Sequence, residues 1–382
     1  MRLRVLLLGS LGTAAIFAAA GGAWLLSLPP APAAVAAPMI APEETAATIA
    51  ALKPPKRPRP LIAIVGINDA TETTDYLMPY GILSRAGVAD VTTLATGPGP
   101  LQLYPALKVQ PDATLADFDA SHPAGSDYVI VPAMSRDDDP AMLQWLRQQA
   151  AKGATIIGIC AGVKIVAAAG LLDGKRATTH WYYVDELTNK HPSIRYVRDR
   201  RVVADDGVAT TTGITASMPA MLTLIEAIAG REAAEKTARD LGLSEWNARH
   251  DSGAFKFSRS FALAAIGNTA AFWNHERIDI ELESGLDEVS LALVADAWSR
   301  TYRSRAWTFA PAPGALKTRN GVRIIPDYVG AVPQGSQRLA VKREPPALAL
   351  DQALAAIGGR YGAGTARFVA MQLEYPLHGE TP

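Results

Sequence analysis

The stretch TIIGICAGVKIVAAAGLL (155–172) restricts the possible folds of this chain more than any other. TIIGI is a short apolar run rich in β-branched side chains, which suits a buried parallel strand. VKIVAAAGLL then reads as a helix packed closely through its alanines. Between them, Gly158 and Gly162 bracket Cys160 with the G-x-nucleophile-x-G spacing of a nucleophile elbow. A strand that turns so sharply into a helix leaves the turn residue above the sheet in a strained conformation, and only small neighbours fit beside it. Backbone N–H groups at the helix start lower a thiol's pKa and can hold an oxyanion. A lone cysteine is equally readable as a small, inert core residue. The residues alone leave both readings open.

The surrounding pattern fits an α/β domain. LIAIVGI (61–67) is a second buried strand, a helix is expected at about 74–86, and strands near 90–95, 107–110 and 127–131. DDDPAMLQWLRQQAAKG begins with acidic capping residues and ends in Gly, as a helix does. Such alternation predicts a parallel sheet covered on both faces. After His180 come a short helix, strands around 194–210, and helices at 214–229 and 231–242. Sliding the chain by 215 residues then aligns residues 84–112 with 299–327 without a gap. Both turns match, Pro98-Gly99 with Pro313-Gly314 and Pro111-Asp112 with Pro326-Asp327, and AIAGR (227–231) is echoed by AIGGR (356–360). This predicts a second, truncated copy of the unit that lacks the elbow. The plainer alternative is shared α/β turn chemistry.

The N-terminus sets the expected location. MRLR precedes an uncharged run from Val5 to Leu28. At about 1.5 Å per residue that run is long enough to cross ~30 Å of hydrocarbon. APAAVAAP (31–38) could instead offer a signal cleavage site. Arg2 and Arg4 would keep the start cytoplasmic, so the globular part is expected on the periplasmic side of a bacterial inner membrane, or free in the periplasm after cleavage. The resulting plan is an anchor or signal over 1–28, a Pro/Ala-rich tether over 29–60 ending in KPPKRPRP, a first unit over 61–243, a connector over 244–277 and a degenerate second unit over 278–376. WNARHDSGAF and FWNHE in the connector read as interface packing or as the lining of a cleft between the units.

Lys+Arg and Asp+Glu both number 37, so charge gives no reason to expect a nucleic-acid partner. One cysteine excludes an internal disulfide. The histidines (His122, His180, His191, His250, His275 and His378) are scattered, and no metal site or cofactor is expected.

CAG, AGLLDG (169–174) and RATTHW (176–181) together resemble the DJ-1/PfpI superfamily, particularly its isocyanide-hydratase and amidotransferase-like transcriptional-regulator branch. The resemblance covers roughly 61–243 and implies a flavodoxin-like sandwich. It implies that Asp75, in TTDYLMPYGIL, is the acidic residue that hydrogen-bonds Cys160 and manages protons, with Asp69 or Glu72 as the fallback. It places His180 near the cysteine, with a chemical or an organising role. The N–H groups of Ala161, Gly162 and Ala133 are the implied oxyanion donors. There are departures: Met78 stands where relatives have Gly, and Ala161 replaces the His or Thr that relatives keep beside the sulfur. VPAM (131–134) replaces VPGG. Two functions are therefore expected. One is thiol addition to a small C–N electrophile, ending in hydration or hydrolysis. The other is non-catalytic ligand binding or stress sensing. The partners expected are a small molecule, the membrane, and either a second copy or the internal pseudo-partner, without a helix-turn-helix domain or nucleic acid.

Overall fold

The computed structural model describes residue 17, residues 19–32 and residues 35–376. Among these, no helix is long and apolar enough to cross a membrane. Most of the run Val5–Leu28 lies outside the described residues.

The first sheet has seven strands, in the spatial order Val202–Asp205, Val208–Thr211, Thr155–Gly158, Tyr128–Val131, Leu61–Gly66, Asp90–Ala95 and Ala113–Thr114. All neighbours are parallel except the first two, which form an antiparallel pair. The unbroken apolar strands follow from burial on both faces. Ile62 and Ile64 enter the core shared with Tyr76 and Met221, whereas Ala63 and Val65 enter the one shared with Trp145 and Val163. A period of two thus sends alternate residues to helices on opposite sides.

The second sheet has four parallel strands, in the order Tyr328–Val329, Ser304–Ala310, Glu276–Glu281 and Gln337–Leu339. Its elements keep the 215-residue offset. Strand Glu276–Glu281 sits at the offset from Leu61–Gly66, and Tyr328–Val329 at the offset from Ala113–Thr114. The helix Glu288–Ser299 begins at the offset from the helix Thr73–Ala86. In the first sheet the Asp112 carboxylate accepts from the N–H (2.9 Å) and hydroxyl (2.7 Å) of Thr93. In the second, Asp327 does the same with Thr308, at 2.8 and 2.9 Å.

The helices Thr73–Ala86 and Glu288–Ser299 pack against each other, and one apolar core runs through both regions. Gly81 lies at this crossing; a Cβ there would come within 2.6 Å of Val289 and 2.8 Å of Glu288. Two hairpins, Leu101–Tyr104 with Lys108–Gln110 and Leu316–Lys317 with Arg323–Ile324, join in one sheet through antiparallel pairing of Val109 with Ile324. Those two residues are themselves related by the offset. After Gln337–Leu339 the chain passes to the helix Ala347–Tyr361 with no counterpart of strand Thr155–Gly158 or its elbow.

Two expectations need correction. The stretch 29–60 is not a free tether. It contains the helix Pro42–Ala51, its Leu52 is buried, and Glu44 pairs with Arg200 at 2.7 Å. The basic tract is likewise built in, with Arg57 on the buried Asp127 and Arg59 on Asp90. Burying Asp127 without a partner would cost several kcal/mol (roughly 3–5), which explains the local charge. Second, the echo of AIAGR by AIGGR is one of sequence alone. AIGGR lies inside Ala347–Tyr361, and the residue with the conformation of Gly230 (φ 88°, ψ 170°) is Gly362 (φ 90°, ψ 155°).

Candidate active site

Cys160 has φ 55°, a left-handed conformation that costs a non-glycine residue about 1–3 kcal/mol and that the surroundings must hold in place. Its N–H donates to the Thr211 hydroxyl (3.2 Å), and its carbonyl accepts from the Thr179 hydroxyl (2.9 Å). Gly162 allows the close approach that makes the elbow. A Cβ there would fall 2.1 Å from the Val131 carbonyl oxygen. Cys160 is buried and lines the floor of a cavity of about 590 Å³.

The acidic group behind it comes from the helix Thr73–Ala86. Glu72 caps that helix by accepting from the Asp75 N–H (2.6 Å), which leaves the Asp75 side chain free for another partner. One Asp75 oxygen accepts from the Ala133 N–H at 3.0 Å, while Oδ1 is buried and has no partner among the described residues. Burial first, then the Glu72 charge, pushes the Asp75 carboxyl well above the usual carboxylate range, which favours its protonated form. Burial likewise raises the Cys160 thiol, with the neighbouring carboxyls adding to it and the Ala161 N–H opposing. Once Asp75 is neutral its share of that repulsion disappears, and burial remains the dominant cause.

Glu72 also accepts from Arg300 at 2.7 Å, and Arg300 bonds Asp296 at the same distance. Burial disfavours the Arg300 charge, but Asp296 and Glu72 together outweigh it and keep the guanidinium protonated. Asp69, the other fallback acid, is exposed and pairs with Arg136.

The three expected oxyanion donors are not equivalent. The Ala133 N–H is taken by Asp75, and the Gly162 N–H by the Ile159 carbonyl at 2.7 Å. Only the Ala161 N–H faces the sulfur. His180 lies in the cavity wall, but both its nitrogens are used. Nε2 donates to the Gln372 carbonyl (3.0 Å), so Nδ1 is the acceptor for the Tyr182 N–H (3.2 Å). Burial pushes its pKa down to about 4. It is a neutral fastener, which leaves no lone pair for a general base.

This elbow, with a buried acid behind it, agrees with the comparisons. Residues 62–227 match the DJ-1/PfpI family. Isonitrile hydratase of Pseudomonas putida is 32% identical over 166 residues, which is 42% of this chain and 69% of that protein. The chain belongs to the DJ-1/PfpI family. The HTH-type transcriptional regulator CdhR of Pseudomonas aeruginosa is 36% identical over 112 residues, 29% of this chain and 33% of the regulator. The crystal structure of Drosophila melanogaster DJ-1beta superposes with a TM-score of 0.45 at 23% identity, covering 49% of this chain and all of that one.

Part of the cavity wall comes from outside the family match. Phe257 and Phe261 of the connector contribute to the wall, as do Tyr302, Phe368 and Gln372 from beyond it. Phe261 packs on Trp181 (5.6 Å between centroids) and on Phe368 (4.8 Å). Sequence reasoning missed these residues and Arg300. The offset alignment pairs Arg85 with Arg300 and so held one usable signal. FWNHE, by contrast, is no buried interface, since Phe272 and Trp273 are about 70% exposed. Among the described residues no group of His, Cys, Asp or Glu is placed to hold a metal ion.

Proposed function

We propose that the Cys160 pocket adds water to a small electrophilic carbon bound to nitrogen, as in an isonitrile. The observation that carries this is the buried Asp75, with Oδ1 unpartnered among the described residues, beside a cysteine held at positive φ. In the first step the sulfur bonds to the terminal carbon, and the thiol proton reaches that same carbon through Asp75. The product is a thioimidate. Water then adds to its carbon, the nitrogen takes a proton, and collapse of the adduct breaks the S–C bond. The thiol regains its proton and an N-substituted formamide leaves, so the sum is isonitrile plus water. Acyl transfer fits less well, because it usually relies on more than one N–H at the oxyanion, and only Ala161 offers one here. The similarity to isonitrile hydratase supports the same substrate class.

The test is formamide production from an alkyl isonitrile by the purified chain. Cys160→Ser should abolish it, and Asp75→Asn should slow it by about 100-fold, within the range for a lost general acid–base. Full activity in Asp75→Asn would sink this mechanism.

A second reading, ligand sensing without turnover, is favoured by the raised thiol pKa and by Ala161 where relatives keep a polar side chain. It expects a ligand-induced melting shift that survives Cys160→Ser. We further infer that the region from Glu276 onward is a truncated copy acting as a built-in partner. Support comes from the constant offset, the Val109–Ile324 pairing, and two reciprocal ion pairs, Arg300 with Glu72 and Arg85 with Asp287. A monomeric mass by light scattering is the expected result. Anchoring by Val5–Leu28, with the globular part in the periplasm, is proposed from the sequence and predicts resistance to carbonate extraction.

A further inference from the structure

Phe261 and Phe368 line a second cavity as well, of about 420 Å³, which contains neither Cys160 nor any residue of the acid network. The guanidinium groups of Arg201 and Arg249 belong to its lining. Arg201 is the more telling. Its Nε donates to the Arg249 carbonyl at 2.8 Å, and its two Nη groups have no hydrogen-bond partner among the described residues. No carboxylate of the described residues lies within ion-pairing distance of it. The charge that acts on it, Glu374, has its oxygens committed to the N–H groups of Trp181 and Gly213. A guanidinium so desolvated and so poorly neutralised is costly to keep. Burial accordingly pulls the Arg201 pKa down.

The other polar groups leave the cavity cationic. The Arg249 guanidinium bonds only backbone, the carbonyls of Ala37 and Pro38. His250 is held neutral, its pKa pushed down to about 4 by burial and by Arg201. Among the described residues of the lining, Asp251 is the one acidic side chain. Its Oδ1 accepts from the Gly253 N–H, and Oδ2 is buried without a partner. The remaining surface is largely apolar, with Phe255 and Met371 beside the two shared phenylalanines. Forked donors at one end and aromatic walls at the other recognise a planar anionic head on an apolar body.

We propose that this cavity binds an amphipathic organic anion, with its carboxylate or sulfonate on Arg201 and its aryl or alkyl body against Phe255 and Phe368. The site is separate from the chemistry at Cys160 and does not depend on it. Titration calorimetry of the full chain with 4-phenylbutyrate tests it, alongside 4-phenylbutanol and acetate as the uncharged and the bodiless controls. Saturable binding of phenylbutyrate, at least tenfold tighter than either control, is expected. Arg201→Gln should weaken it at least tenfold, Arg201→Lys should restore part of the loss, and Asp251→Asn should tighten it a few-fold. Alkylating Cys160 beforehand should change nothing. Equal affinity for the alcohol, an indifferent Arg201→Gln, or loss of binding after Cys160 alkylation would each overturn the proposal. Should Arg201→Gln fail to fold, Phe255→Ser serves, with a tenfold loss again expected and an unchanged affinity counting against.

Discussion

The N-terminal ends of two helices, Thr73–Ala86 and Glu288–Ser299, are capped on the same plan yet have different chemistry. Each is capped by a carboxylate, Glu72 in one and Asp287 in the other, and each carboxylate meets an arginine from the opposite helix. At the offset, Asp75 faces Ser290 and Gly81 faces Asp296. The first exchange puts a buried carboxyl at one end only. The second adds a further carboxylate to Arg300, so that guanidinium is held by Asp296 and Glu72 in a buried setting. Arg85 instead shares Asp287 and the partly exposed Asp240 with Arg319. One ion-pair framework therefore serves as a structural latch at one end and as the support of a buried acid at the other.

The sharpest way to break this comparison is to remove each arginine. Arg300→Ala strands two buried carboxylates and should cost about 3–5 kcal/mol. Arg85→Ala leaves Arg319 on both acids and should cost under half of that, as read by urea denaturation. Equal losses would mean that the two ends are equivalent after all. Gly162→Ala comes next, at about 3 kcal/mol, near the upper end for overpacking, because its methyl meets the backbone of Val131 and Pro132. The second region has no elbow and no such position.

The pH dependence should be smaller. His180 and His250 sit at about 4 in the fold against an ordinary 6.5, so their contribution is complete above pH 6.5 and is lost as the pH falls through 4. Glu374, raised to about 7 by burial, has the opposite sign: its contribution is complete below about 4.5 and lost as the pH rises through 7. Asp75 and Asp296, also raised by burial, act in the same sense as Glu374, so the histidine part is read by comparison. His250→Phe should make the change in melting temperature between pH 4.5 and 6.5 less positive than in the parent chain, by about half of the histidine contribution. The smallest effect belongs to Ser290→Ala. Its hydroxyl is buried without a partner, so its loss should be neutral or stabilise by up to about 1 kcal/mol. Asp75→Ala at the matching position should destabilise, since it leaves the Ala133 N–H unpaired.

The elbow was legible because steric need writes it locally: a strand, a cysteine, and glycines where no Cβ fits. Asp75 was legible only through family likeness, since its role depends on Glu72 taking the capping position. The His180 lone pair, the occupied Ala133 and Gly162 donors, and the aromatic wall were not legible. Apart from the Gly162 donor, which closes a local turn on Ile159, each depends on a partner far along the chain, such as Gln372 for His180, and neither periodicity nor spacing encodes such a pairing. The tether failed for a related reason. Its Pro and Ala content suggests disorder, but Arg57 and Leu52 find buried partners in Asp127 and Tyr128.

Glu374 closes on Gly213 and Trp181, while the Gln372 carbonyl accepts the hydrogen bond from His180 Nε2. Cys160 is thus translated more than two hundred residues before the groups that fix its surroundings. A ribosome that has released only the first region presents a thiol whose pocket has no far wall. The cavity is complete only once the helix Ala363–Gln372 has been made and has docked.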